Sequence, residues 1–434
     1  MNRRGARCPV RFPLRGLGMV AAACLLAPPA FATDIVVSPA GPVPTLTAGL
    51  ALARPGDRII VRAGIYREPP IVVAKRVSIV GEGRPVLDGG GDRQILTVTA
   101  DSVTIRGLVF RHTGNSFVDD RAALRFTAVR GCVVEDNEFE STFFGIYLAD
   151  VEGCRISGNR LAAAGAGEAQ SGNGIHLWSS AGVVIERNAI RGHRDGIYLE
   201  FSRGAVVRGN ASTHNLRYGL HFMFSDSCTY ADNTFRRNGA GVAVMYSKRV
   251  SMTGNRFQDN QGAAAYGLLL KDISDSRVAA NRFVGNTVGL YTEGGSRLRV
   301  EDNLFERNGW AVRLLASSGD DAFLRNRFVG NAFDVTTNSA SSSSTFRENE
   351  WDRYAGYDLD RDGYGDVPYR PVRLFALVVE QSEPALILLR SVFVDLLEVA
   401  ERVLPVLTPE TLVDERPRMP RRRPILRSAP RPPT

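Results

Sequence analysis

The sequence predicts an all-β chain wound into a right-handed parallel β-helix, and three observations carry that prediction. An apolar residue, two further positions, Asn, one position and a second apolar residue recur at Asn137, Asn159, Asn188, Asn210, Asn233, Asn255, Asn281, Asn303, Asn326 and Asn349, in steps of 22, 29, 22, 23, 22, 26, 22, 23 and 23. A Gly-apolar-x-apolar motif keeps pace with it, opening at Gly145, Gly174, Gly196, Gly219, Gly241, Gly267 and Gly289. Aligned on the Asn, the coils show apolar columns three residues before it (Val134, Ile156, Ile185 through Phe346) and two after it (Phe139, Leu161, Ile190 through Trp351). A period of 22–23 with short β-type segments marks a solenoid, and the Leu-x-x-Leu-x-Leu frame of leucine-rich repeats is missing. Because strand residues alternate between faces, the two columns point inward and stack coil on coil. The Asn is placed at a corner, where its amide can bond the next coil and its backbone can take the left-handed conformation.

In chain order, residues 1–32 read as a secretory signal: five arginines, an apolar run from Leu17 to Ala27, and the small-x-small site Ala30-Phe31-Ala32. The β-helix domain spans 33–372. Its first element is a short helix over Thr45–Arg54, which closes the mouth that a solenoid must cap. The irregular coils of Val77–Val80, Leu96–Val98 and Val103–Phe110 follow, then the regular ones. The two long steps mark loops at 162–173 and 260–266. Residues 373–408 form a C-terminal amphipathic segment whose helix runs over 384–404, between Pro384 and Pro405. Leu389, Val392, Phe393, Leu396 and Val399 share its apolar face, which either packs on the end of the β-helix or docks to a membrane protein. The Arg- and Pro-rich tail 409–434 is expected to be disordered.

Composition narrows the function. The formal charge of +8 comes from the ends: residues 33–415 hold 42 basic and 46 acidic residues, a net of −4. That removes the electrostatic basis for nucleic-acid binding. Three cysteines (Cys132, Cys154, Cys228) follow the leader, too few for a disulfide framework. All three sit in a small, apolar, inward column. Cys132 and Cys154 are stacked neighbours, so a bridge and a simple core stack are both open.

The Gly-apolar-x-apolar strand points its second and fourth followers outward. These columns read Tyr147, His176, Tyr198, His221, Ala243, Leu269, Tyr291 and Ala149, Trp178, Glu200, Met223, Met245, Lys271, Glu293. They gather His176, His221, Met223 and Met245 on one face. Imidazole with thioether suits copper, and thioether favours Cu(I). Trp178, Phe201 and Phe224 join this face as an exposed aromatic patch of the kind that marks a partner interface. A loop packed over the face would instead make the same residues plain buried ones. A second candidate is Asp358-x-Asp360-x-Asp362-Gly363-x-x-Asp366, the first half of a calcium loop, with Tyr369 where the closing Glu belongs. β-Helix enzymes acting on polysaccharides need paired carboxylates in an outer groove. The outer columns offer only Glu200, Lys271 and Glu293, several coils apart, so a non-enzyme is expected and a carbohydrate-active enzyme is the weaker alternative.

The stretch DGIYLEFSRGAVVRGNASTHNLRYGLHFMFSDSCTYADNTFRRNGAGVAVMYSKRV (195–250), the later GYDLDRDGYGDVPYRP (356–371) and the N-terminal PGDRIIVRAGIYREPPIVVAKRVSIVGEG resemble the NosD family, over about residues 34–405. The resemblance implies a periplasmic, non-enzymatic accessory protein. It would act with an ABC transporter membrane subunit and a copper chaperone lipoprotein to assemble the copper–sulfide centre of nitrous oxide reductase, handling copper transiently as Cu(I). The alternative is a metal-free docking scaffold between transporter and client.

Overall fold

The structure is a computed structural model that describes residues 33–116, 119–163, 167–339, 342–389, 391–403 and 412–420. The expected signal peptide lies outside the described residues. From Asp34 to Trp351 the chain winds through three parallel sheets of 14, 13 and 12 strands, each coil giving one strand to each sheet in turn. This is the expected right-handed β-helix. The first sheet runs from Asp34–Val37 to Thr345–Arg347, the second from Ile65–Tyr66 to Glu350–Trp351, and the third from Ile71–Val73 to Phe333–Thr337.

The inward columns meet as the repeat requires. Val134, Ile156, Ile185, Val207 and Tyr230 pair in register along the first sheet, fully buried. In the second, Phe235, Phe257, Phe283, Phe305, Phe328 and Trp351 stack with centroids 4.1–5.6 Å apart. Offset stacking adds to the burial of each ring.

The asparagines form a ladder. Each Nδ2 donates to the next coil's Oδ1, from Asn137 to Asn159 (3.1 Å) through Asn326 to Asn349 (3.1 Å). The same Oδ1 accepts the backbone N–H of the residue below, so every rung satisfies buried donors. The backbone expectation needs correcting. The left-handed residue is the one before the Asn: Asp136, Arg187, Asp232, Ala280, Asp302, Arg325 and Glu348 have φ of 53–58°. The corner must turn before the amide can point inward. A second ladder, unforeseen, stands five residues on: Asn215, Asn238, Asn260, Asn286, Asn308 and Asn331.

The ends are capped. Helix α1 (Leu46–Leu52) starts at Thr45, whose Oγ1 accepts from Ala48 N at 3.1 Å, and buries Leu46 and Leu50 over the first coil. Lys75 Nζ closes its other end on the carbonyls of Leu50, Ala51 and Ala53. At the far end the single helix expected over 384–404 is instead α2 (Leu374–Gln381), a 3₁₀ turn at Glu383–Leu388 and α3 (Val392–Val403). The 3₁₀ turn ends at Leu388 and α3 begins afresh at Val392, which resets the helical phase. Leu389 therefore packs inward with Phe333 and Phe375, while Val392, Phe393, Leu396 and Val399 face solvent. No helix among the described residues is long and apolar enough to cross a membrane.

Part of the tail departs from expectation, while 409–411 and 421–434 lie outside the described residues. Residues 412–420 add to the last coil, with Leu412 and Asp414 fully buried. Phe346 bridges to Asp414 and Glu350 to Arg418 in parallel. Asp414 supplies the acceptor that the final Asn rung lacks, which composition could not show. Cys132 and Cys154 are bridged across successive coils, and Cys228 is free and buried, its thiol pushed up to about 11 by desolvation.

Candidate metal centre and docking face

Four neighbouring strands of the third sheet build the site: Ile175–Trp178, Asp195–Glu200, Tyr218–Met223 and Ala240–Met245. Their Ile, Leu, Phe and Val side chains fill the core, with Ile197, Leu199, Leu220, Phe222, Val242 and Val244 all inaccessible. Alternation then sends the intervening residues outward in two columns. One pairs His176, Tyr198, His221 and Ala243; the other pairs Trp178, Glu200, Met223 and Met245. Met223 and Met245 are direct register partners, one strand spacing apart (about 4.8 Å). His221 lies two residues before Met223 on the same strand and the same face, and its upward neighbour is the small Ala243.

His221 is buried, with neither ring nitrogen in a hydrogen bond. Its Nδ1 stands 3.7 Å from Asp195 Oδ2, beyond hydrogen-bond reach. Asp195 is itself buried. Desolvation pushes its carboxyl up, but His221 and the bidentate Arg217 outweigh that and hold it below the ordinary value. The Tyr198 hydroxyl reaches Met223 Sδ at 3.5 Å. A buried imidazole whose nitrogens make no close hydrogen bond, with Asp195 as its only near carboxylate among the described residues, beside two half-exposed thioethers, is a donor set that fits a soft cation such as Cu(I).

His176 is not brought to this cluster. It is two rungs away, stacked on Tyr147 (4.5 Å) and packed at a tilt against Tyr198 (4.8 Å), and Asn173 Nδ2 lies 3.1 Å from its Nδ1. Burial pulls its pKa down to about 3, so it stays neutral throughout the physiological range. His193 is fully buried and takes the place of an Asn in the second ladder, its N–H donating to Asn215 Oδ1 at 3.2 Å. Burial lowers it from 6.5 to about 4, against the pull of the Gly172 and Phe143 backbone. Its unfolded form takes up a proton below pH 6.5 and its folded form only near 4. The stability contributed by neutral His193 is therefore complete above 6.5 and lost as pH falls towards 4. His193→Asn, which restores the ladder residue, should flatten the fall in melting temperature between pH 7 and 4.5 in parallel thermal melts.

The aromatic patch is ordered and strained. Phe201, Phe224 and Tyr246 stack at 5.3 and 5.0 Å, and all three are exposed, at 53%, 44% and 42%. Their φ values of 49°, 48° and 53° put bulky rings where Gly, Asn or Asp ordinarily sits. Trp178 is exposed on the same edge. Tyr246 is the member that sequence reading missed, though the aligned Glu200-Phe201-Ser202, Met223-Phe224-Ser225 and Met245-Tyr246-Ser247 carry the signal. The serines link successive coils: Ser225 Oγ accepts from Ser202 N and Ser247 Oγ from Ser225 N.

The acidic turn is formed at the far end of the solenoid. Ligating oxygens of Asp358, Asp360 and Asp362 fall within 4.8 Å of one another. The turn folds on its own bonds: Asp358 accepts from Asp362 N and Gly363 N, Asp362 from Tyr364 N, and Asp366 from Leu359 N. Arg416 ties Asp362 to the tail at 2.7 Å.

A family model described as "Periplasmic copper-binding protein (NosD)" matches residues 163–359, the stretch that holds the whole His/Met face. The "Probable ABC transporter binding protein NosD" of Pseudomonas aeruginosa is 30% identical over 391 residues, 86% of this chain and 90% of that one. Its namesake from Stutzerimonas stutzeri is 28% identical over 378 residues, 82% and 85% of the two chains. Among solved structures, the A-module of the mannuronan C-5 epimerase AlgE6 from Azotobacter vinelandii superposes with a TM-score of 0.50 at 14% identity, over 69% of this chain and 91% of that one. That likeness is one of fold alone.

Proposed function

The chain belongs to the NosD family, and from that premise we propose that it is a periplasmic copper-handling protein whose metal face is His221, Met223 and Met245. Cu(I) is its cargo. The protein takes the ion from a copper chaperone lipoprotein and, with an ABC transporter, helps place it in the copper–sulfide centre of nitrous oxide reductase. The observation that supports this most is His221, whose buried ring makes no hydrogen bond within normal distance, Asp195 standing 3.7 Å away, beside two register-paired thioethers. A buried polar ring without a full hydrogen bond is costly, and a metal ion would satisfy it. A half-exposed pair of methionines leaves the ion reachable by a second protein. His176, two rungs below, serves the stack that fixes Tyr198 and not the first set of ligands.

The strained aromatic ladder supports a docking role for the same edge. Each ring in the left-handed region costs on the order of 1–2 kcal/mol, and nothing inside the fold needs the ring there. On this reading Phe201, Phe224, Tyr246 and Trp178 seat the partner over the metal. Phe201→Asn/Phe224→Asn should keep the fold and the Cu(I) affinity but weaken the complex with client or donor at least tenfold, as read by biolayer interferometry. Docking without metal is the second reading, and the same ladder supports it. Anaerobic titration of the mature protein with Cu(I) against a competing chelator separates the two: saturable binding supports copper handling, and no binding leaves the scaffold. Catalysis on a glycan has weaker support. Glu200 and Glu293 are four rungs apart in one column, Glu293 is tied to Lys271 at 3.0 Å, and the named relatives are binding proteins.

A further inference from the structure

The third sheet continues four strands beyond Ala240–Met245 to Phe333–Thr337, where α2 and α3 fold against it. Between that last strand, the adjoining turns and the two helices lies a cavity of about 420 Å³. The size is within the ~300–1,000 Å³ range of small-ligand sites. Its lining is divided in chemistry. Phe333, Phe375 and Leu397 are among its apolar residues, while Arg307, Arg353 and Arg373 supply three guanidinium groups. Among the described residues no carboxylate lines it. Arg307 has Glu306 at 3.4 Å, and Arg353 donates to the carbonyls of Asn331 and Ala332 at 3.1 and 3.3 Å. These contacts hold Arg353 at the wall without spending all its donors. Asp334 lies behind the wall, almost wholly buried. Desolvation raises it to about 6 against the pull of Arg353 and Arg373, so at neutral pH it is mostly ionised and offsets part, but not all, of the charge of the three arginines.

A cavity lined both by arginines and by an aromatic–aliphatic surface complements a molecule that joins an anionic group to an apolar chain. A guanidinium fork matches carboxylate or phosphate oxygens, and the apolar wall gains from covering methylenes. We propose that this cavity binds a single-chain anionic amphiphile, its head group against Arg307, Arg353 and Arg373 and its chain along Phe333, Phe375 and Leu397. The site is independent of the metal face.

The test uses the mature protein and a fluorescent C18 polyene fatty acid, with lysophosphatidylglycerol and inorganic phosphate as separate competitors. Saturable binding is expected, displaced by the lysophospholipid and not by millimolar phosphate. Arg307→Ala/Arg353→Ala should weaken it about tenfold. Because Arg353 also braces two backbone carbonyls, Leu397→Trp provides a second variant that fills the cavity and leaves every arginine in place; it should weaken binding to the same degree. Leu396→Asp, on the solvent face of α3, should leave it unchanged. Absence of binding overturns the proposal, as does affinity unaltered in both cavity variants. Loss with Leu396→Asp moves the interaction to the exposed helix face and also overturns it. Displacement by phosphate alone reduces the site to an anion site and overturns the amphiphile.

Discussion

Met223→Leu/Met245→Leu should lower Cu(I) affinity about a hundredfold while leaving the melting temperature unchanged. Leucine nearly conserves the volume of methionine and covers the same half-exposed strip, so packing loses little. What it removes is sulfur, the donor that makes the site selective for a soft, monovalent cation. Loss of groups that merely orient a metal ligand costs roughly 10–100-fold, and loss of two donors should reach at least the top of that range. His221→Ala should have a comparable effect for the complementary reason, since it removes the buried imidazole of the cluster, whose nitrogens make no close hydrogen bond in the protein. His176→Ala should act more weakly, through the stack that positions Tyr198 and its contact to Met223 Sδ. The measurement is an anaerobic competition titration of all four proteins. Unchanged affinity in both the double-methionine and the His221 variants would remove the site and leave only the docking role.

The solenoid was legible because its physics is periodic. Every coil must place an apolar residue and an Asn at the same phase, so ten coils report the same constraint ten times. The same alignment located the outward columns, since alternation fixes the face once one inward column is known. Three features escaped it. The left-handed corner was assigned to the Asn because Asn tolerates that backbone, but the residue before it can be Asp, Arg, Ala, Glu or Gly, a mixture that hides the position. The second ladder was hidden because its first member is His193, which uses its backbone where later coils use an amide side chain as well. The separation of the 3₁₀ turn ending at Leu388 from α3 starting at Val392 has no Gly or Pro to announce it, so a single wheel drawn across both gave Leu389 the wrong face. The candidate metal cluster was legible as residue types on one face. That His221 lacks a close hydrogen bond, and that His176 is sequestered by Asn173 and two tyrosines, depends on side-chain contacts that spacing does not encode.

Asp414→Ala should destabilise the C-terminal coils by roughly 3–5 kcal/mol, which is a large fraction of the stability of most domains. The ladder runs toward the C-terminus, each amide donating to the next, and Asn349 is its last rung. Asp414 Oδ2 accepts both the backbone N–H and Nδ2 of Asn349 at 3.0 Å, together with Trp351 Nε1 at 3.0 Å; Oδ1 accepts Glu348 N at 3.1 Å. Asn349 and Trp351 are buried, as is Asp414 itself. Removing the carboxylate leaves these donors without an acceptor, at about 1–3 kcal/mol each where water cannot replace it. Trp351 also closes the Phe stack on Phe328 at 4.1 Å, so disorder at the last rung would propagate into the aromatic column. Asp414→Asn should recover much of the loss, because an amide oxygen is what every earlier rung presents. Truncation after residue 411 should lower stability at least as much as the alanine variant does, because it removes buried Leu412 together with Asp414. Denaturant titration followed by tryptophan fluorescence can score all three. Equal stability of the Asp414→Ala protein and the wild type would mean that the terminal coil does not need its final acceptor.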